Sequence, residues 1–147
     1  MAALLGVRDT INYEGQAAVE LEQRTDPAEL AGYEAACIDG ETFVVSGSDL
    51  LRGCVDDLLV GLPAPRIAGR FHNGLVAAIV RGCRLGQRRT GLRTVALSGG
   101  VFQNLLLLDA TVRALTRAGF EVLTHSRVPT NDGGVSLGQA VIAAASG

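Results

Sequence analysis

The chain has 147 residues, 48% hydrophobic and 19% charged, with a formal net charge of −2, a length that suits one ordinary domain with its own core. Neither that charge nor an aromatic content of 4% without Trp suits a protein that tracks a phosphate backbone or stacks bases, so no nucleic-acid partner is expected. All 13 basic residues are Arg, which excludes a P-loop lysine and a Schiff-base lysine from these residues.

In chain order, residues 13–25 read as a short helix opening after Glu14-Gly15, with Ala17, Ala18 and Leu21 on one side. Residues 33–38 and 42–45 are short strand candidates, and Asp39-Gly40 between them signals a hairpin. Ser48 or Asp49 can cap a second helix over 49–60, whose apolar face is Leu50, Leu51, Cys54, Val55, Leu58 and Leu59. A third helix starts near Pro65 and ends near Gly86; Ile67, Phe71, Leu75, Ile79 and Cys83 recur every four residues as its buried stripe. Residues 94–97 form a strand that stops at Ser98-Gly99-Gly100. A helix follows with Val101, Leu105, Leu108, Val112 and Leu115 inward, and Gly119 leads to a strand over 120–123. Strand, glycine turn, helix and strand make a β-α-β unit, which requires parallel strands. Thr130-Asn131-Asp132-Gly133-Gly134 then opens a helix of small residues. No internal repeat and no domain boundary is legible.

Purely apolar runs such as residues 75–80 fall far short of the ~20 residues that span a bilayer, so no membrane partner is expected. The first seven residues lack the basic and apolar regions of a signal peptide. Cys37, Cys54 and Cys83 are widely spaced and form no C-x-x-C, which points to reduced thiols and a cytoplasmic location. A mean hydropathy of +0.28 is high for a short chain. It predicts apolar surface covered by something outside this chain, such as a second copy in a homodimer.

Three stretches could carry chemistry. Ser98-Gly99-Gly100 ends a strand and opens a helix that contains Asn104. Such a turn lets backbone N–H groups approach a phosphate, or is only a tight β-α connection. Asp132, ahead of paired glycines, is either a helix cap or a carboxylate offered to a metal. Glu14 and Gln16, at a helix entrance, could bind ligand hydroxyls or amines, or merely complement the helix dipole. His72, beside Phe71, reads as a structural histidine, and Cys54 and Cys83 as inert core thiols. The arginines of residues 84–93 read as a solvated helix end. No Ser/His/Asp or Cys/His arrangement is legible, and no residue is assigned a catalytic role.

Four blocks together resemble one family. They are Tyr13-Glu14-Gly15-Gln16-Ala17-Ala18-Val19-Glu20-Leu21-Glu22, Ala68-Gly69-Arg70-Phe71-His72-Asn73, Leu97-Ser98-Gly99-Gly100-Val101-Phe102-Gln103-Asn104, and the run from Val128-Pro129-Thr130-Asn131-Asp132 through Gln139-Ala140. Their order and content resemble the second half of the Kae1-like domain of HypF-type hydrogenase-maturation carbamoyltransferases. The resemblance implies an α/β fold of the actin-like, sugar-kinase-like ATPase class: a mixed sheet flanked by helices, with nucleotide and metal between two halves. It implies that Gly99, Gly100 and Asn104 contact ATP or AMP as carbamoyl-adenylate, and that Glu14 and Gln16 face the same cleft. Asp132 would be this half's ligand to a divalent ion (iron, zinc or magnesium). The family's His-x-x-x-His motif has no counterpart in this sequence, so the metal would be shared with an absent half or a companion chain. The implied acceptor is a C-terminal cysteine of a HypE-type partner. The alternatives are a non-catalytic module, truncated or split, that only folds and binds nucleotide or partner, and half of a generic actin-like ATPase or sugar kinase.

Overall fold

A computed structural model describes residues 1–146 and divides the chain into two compact units, 1–92 and 93–147. This boundary was not legible in the sequence, because no linker composition marks it. Both units are mixed α/β.

In the first unit, α1 (Gln16–Gln23) follows Gly15, whose φ of 81° lies in the left-handed region that favours glycine. β1 (Cys37–Ile38) and β2 (Val44–Val45) pair antiparallel, Cys37 opposite Val45 and Ile38 opposite Val44. The hairpin is as predicted, but its loop is residues 39–43, longer than a two-residue Asp-Gly turn. α2 (Gly47–Leu59) and α3 (Ala64–Thr90) follow and pack on each other. Pro65 sits in the first turn of α3, and Gly91 ends it at φ 75° with its N–H donated to Gln87 O. The core gathers Leu5, Val7, Leu21, Cys54, Ile67 and Ala68.

Residues 33–36, predicted as strand, instead belong to an extended strap over α3. Asp26 N–H donates to Pro65 O and Tyr33 N–H to Arg70 O. Asn73 Nδ2 donates to Glu29 O and Ala31 O, and Arg81 Nη1 to Ala35 O. The strap approaches so closely that a Cβ on Gly74 would lie 2.5 Å from Tyr33 O. That closeness moves the buried stripe of α3. Ile67 is buried as predicted, but the other buried residues are Ala68, Gly69, His72, Gly74, Val76, Ala78, Gly82 and Leu85; Phe71, Leu75, Ile79 and Cys83 are only half-buried. A backbone packed on backbone needs glycine and alanine where a side-chain count expects large residues.

In the second unit, β3 (Thr94–Ala96) and β4 (Glu121–Leu123) pair in parallel, Val95 opposite Val122, with α4 (Leu105–Arg117) as the crossover. The predicted inward face of this helix is corrected. A 3-10 turn over Gly100–Gln103 precedes α4, and the helix restarts at the Asn104 cap. Its buried line is Leu107, Thr111 and Leu115, the last as predicted, while Leu108 and Val112 are half-buried and Val101 and Leu105 are exposed. A second 3-10 turn over Asp132–Gly134 leads into α5 (Val135–Ala145).

Candidate functional site

The second unit brings the two candidate loops together. Ser98-Gly99-Gly100 leaves the C-terminal end of β3, and the segment carrying Asp132 follows β4, its parallel neighbour. Gly99 N–H donates to Thr130 O at 2.9 Å, which ties one loop to the other. Gly99 has φ 99° and ψ 156°, and a Cβ there would meet nothing within 4 Å. Glycine is therefore required by the backbone conformation and leaves open space beside the turn. The same bond uses the Gly99 N–H, so at this residue a ligand would meet open backbone rather than that donor.

Asn104 does not stand idle in the first turn. Its Oδ1 accepts the Leu107 N–H at 2.8 Å, which makes it the N-cap of α4. Asn131, not Asp132, takes the capping role in the second loop: its Oδ1 accepts the Gly133 N–H at 3.1 Å. Asp132 is left exposed at the head of the turn. Close packing holds this turn in place, since a Cβ on Gly134 would lie 2.7 Å from Pro129 O.

One pair escaped the sequence reading. Ser98 Oγ and His125 Nε2 lie 2.9 Å apart, both exposed, and join the ends of β3 and β4. They are 27 positions apart, and only the parallel register of the two strands makes them neighbours. Beside them is an open hollow of about 450 Å³ lined by Phe102, Gln103, His125, Arg127 and Thr130, among others. Gly99, Gly100, Asn104 and Asp132 are not among its lining residues.

Glu14 and Gln16 belong to the first unit. Glu14 is exposed. Gln16 is buried, its Oε1 accepting Asn12 N–H at 2.8 Å and its Nε2 donating to Glu20 at 3.0 Å. Arg8 pairs with the same Glu20 carboxylate and lowers its pKa. His72 is buried with Nδ1 2.8 Å from Ala68 O, one turn back along its own helix. Burial pushes the Cys54 thiol up to about 11 and raises that of Cys83, which makes both poor nucleophiles. Arg89 binds Asp39 and the Gly40 and Glu41 carbonyls, so it clamps the hairpin loop.

The family model of the carbamoyltransferase Kae1-like domain, second subdomain, matches residues 1–139. The chain belongs to the HypF carbamoyltransferase family. Carbamoyltransferase HypF2 of Cupriavidus necator is 34% identical over 97% of the chain, and HypF of Synechocystis sp. is 34% identical over 95%. A crystal structure of full-length HypF in its phosphate- and nucleotide-bound form is 42% identical over 97% of the chain, with a TM-score of 0.92. The HypF structure from T. kodakarensis is 30% identical over 95%, with a TM-score of 0.81. The chain spans only 20% and 18% of the two relatives, and 19% and 18% of the two crystallised chains.

Among the described residues of this subdomain no group of three or more His, Cys, Asp or Glu lies close enough to bind a metal ion. Asp132 supplies a single carboxylate, and a divalent ion needs about four to six ligands. Among the described residues no helix is long and apolar enough to cross a membrane.

Proposed function

We propose that this chain supplies the nucleotide-side wall of a carbamoyltransferase site whose other wall belongs to the first half of a Kae1-like domain. The observation that carries the reading is the Gly99 N–H···O Thr130 bond, which brings the glycine turn and the Asp132 turn to one end of the parallel strand pair. Ligands of open α/β sheets bind at that end of the strands. On this reading the fold is one half of an actin-like, sugar-kinase-like ATPase. Gly99 and Gly100 leave room for ATP or for AMP as carbamoyl-adenylate, and Asn104 fixes the helix that borders it. Asp132 is the one ligand this half offers to a divalent ion, and the remaining ligands come from the other half or a companion chain. In the first unit, Gln16 is committed to the α1 entrance and Glu14 beside it is exposed.

The carbamoyl group is passed to a C-terminal cysteine of a HypE-type partner, in the synthesis of the cyanide ligand of nickel–iron hydrogenase. One wall cannot hold both sides of a transition state, so the chain alone is inactive and binds nucleotide weakly. Titrating AMP and ATP into the ¹⁵N-labelled chain tests this. Amide shifts confined to Gly99, Gly100, Asn104 and their neighbours support the reading. Shifts elsewhere, or none at millimolar nucleotide, overturn it.

A further inference from the structure

The hollow beside Ser98 and His125 has two unlike walls. Phe102, Leu105 and Leu108, from the 3-10 turn and the start of α4, make one of them apolar. The other belongs to the loop after β4 and carries His125 and Arg127. Among the described residues that line it there is no Asp or Glu. Elsewhere in this unit Asp109 is paired with Arg113, and Glu121 accepts the Thr94 hydroxyl. Arg127 is exposed and makes no ion pair among the described residues. The hydroxyl oxygen of Thr130, also in the lining, is buried without a hydrogen-bond partner. Buried polar atoms are nearly always paired, and an orphan on the wall of a hollow is satisfied when an acceptor arrives.

These features select the occupant. A guanidinium without a counter-ion calls for an anion, and its planar fork matches a carboxylate with two parallel hydrogen bonds. A free phosphate is better served by a cradle of backbone N–H groups. Here the bordering ones are already used: Gly99 N–H by Thr130 O, Phe102 N–H by Gly99 O and Leu107 N–H by Asn104 Oδ1. The apolar wall calls for a body that buries carbon beside its charge. A carboxylate joined to an apolar body is what the C-terminus of a peptide presents. The volume, about 450 Å³, falls within the ~300–1,000 Å³ typical of ligand sites.

We propose that this hollow seats the C-terminal residue of the thiol acceptor, with Arg127 pairing the terminal carboxylate. This rests on the reading above that a terminal cysteine receives the carbamoyl group, and adds where that cysteine is held. In a C-terminal cysteine the thiol and the carboxylate branch from one Cα, so a grip on the carboxylate places the sulfur. The hollow also borders the proposed nucleotide wall. Thr130 lines it and accepts the Gly99 N–H, and His125 lines it and is bonded to Ser98, the residue before Gly99. A cysteine elsewhere in a chain has no carboxylate to offer, which separates the acceptor from other thiols.

Titrating a capped pentapeptide that ends in Leu-Val-Cys into the ¹⁵N-labelled chain tests this. With a free carboxylate it should shift the amides of Phe102, His125 and Arg127 at millimolar concentration. The same peptide as its C-terminal amide should bind at least about tenfold more weakly, since a charge-assisted pair is lost. Arg127→Gln should bring the same loss with the free-carboxylate peptide. It should leave the urea midpoint unchanged, because Arg127 is exposed and unpaired. Arg117→Gln, at the exposed end of α4, should leave binding as it is. Acetate and inorganic phosphate, titrated alone, probe a bare anion site. Equal binding of the amide, equal binding by Arg127→Gln, or no shifts at millimolar peptide overturns the proposal. So does acetate or phosphate that matches the peptide's affinity, which would mean an adventitious anion site only. The AMP titration is a separate measurement. Loss of AMP shifts at Gly99, Gly100 and Asn104 with peptide binding intact removes the nucleotide reading alone, and the reverse removes this one.

Discussion

Asn104 has two roles assigned to it, and a pair of substitutions separates them. Its Oδ1 caps α4 by accepting Leu107 N–H at 2.8 Å, while its amide lies beside the proposed nucleotide wall. Asn104→Ala removes both. Loss of an N-cap side chain costs about 0.5–2 kcal/mol, and α4 carries Leu107, Thr111 and Leu115, the buried line of its unit. The helix cannot shed its first turn cheaply, so a cost of about 1 kcal/mol is expected, or roughly 4–8 °C in the melting of a unit this small. Asn104→Asp keeps an acceptor at the same place and caps equally well. It replaces the amide donors with a negative charge, which repels a phosphate. The expected outcome is wild-type stability with nucleotide affinity lowered at least fivefold. Urea unfolding followed by tryptophan-free circular dichroism measures the first quantity, and AMP titration the second. If Asn104→Ala unfolds at the wild-type midpoint, the cap is energetically idle. If Asn104→Asp binds AMP as wild type does, the amide has no place in the nucleotide wall.

Gly74→Ala should destabilise the first unit by about 1–3 kcal/mol, since the new Cβ would lie 2.5 Å from Tyr33 O and 2.9 Å from Leu50 Cδ2; Gly86→Ala in the same helix meets nothing within 4 Å and should stabilise by about 0.5–1 kcal/mol. Equal unfolding midpoints for the two would refute the close strap. Asp57 accepts the Tyr33 hydroxyl at 2.6 Å and Arg70 at 2.8 Å, and the Tyr33 bond followed by the Arg70 bond lowers its pKa. A lowered folded pKa gives stability that is present above the ordinary carboxylate range and lost as pH falls through the folded value. Tyr33→Phe should therefore shrink the acid-side loss of stability, which urea midpoints across pH 2–6 measure; parallel profiles would exclude the Tyr33 contribution. Cys54, buried and pushed up to about 11, should resist thiol reagents at pH 8 until the protein unfolds, so rapid modification in the native state contradicts its packing.

What the sequence made legible was local. The β-α-β unit followed from a strand that stops at paired glycines, because that pattern needs no information from distant residues. The hairpin followed from Asp39-Gly40 for the same reason. The errors lie where a distant segment decides. The buried line of α3 was misplaced because the strap comes from 40 residues earlier, and its backbone selects Gly74 and Ala78 over larger neighbours. Val101 and Leu105 were misplaced as inward because a 3-10 turn precedes the Asn104 cap and the helix starts only after it, while Leu115 is buried as the pattern predicts. Ser98 and His125 were invisible as a pair, since their contact depends on the register Ala96 to Leu123. Asp132 was read as either cap or ligand, and Asn131 occupying the cap position removes the first alternative.

That vacated role bears on the site as a whole. A carboxylate engaged as a helix cap has one oxygen committed to backbone N–H groups and is a poorer ligand. With Asn131 doing the capping, Asp132 stays exposed on a turn where Gly134 packs against Pro129 and Thr130 is bonded to Gly99. Such a carboxylate costs little to order when other ligands arrive, yet cannot hold a cation without them.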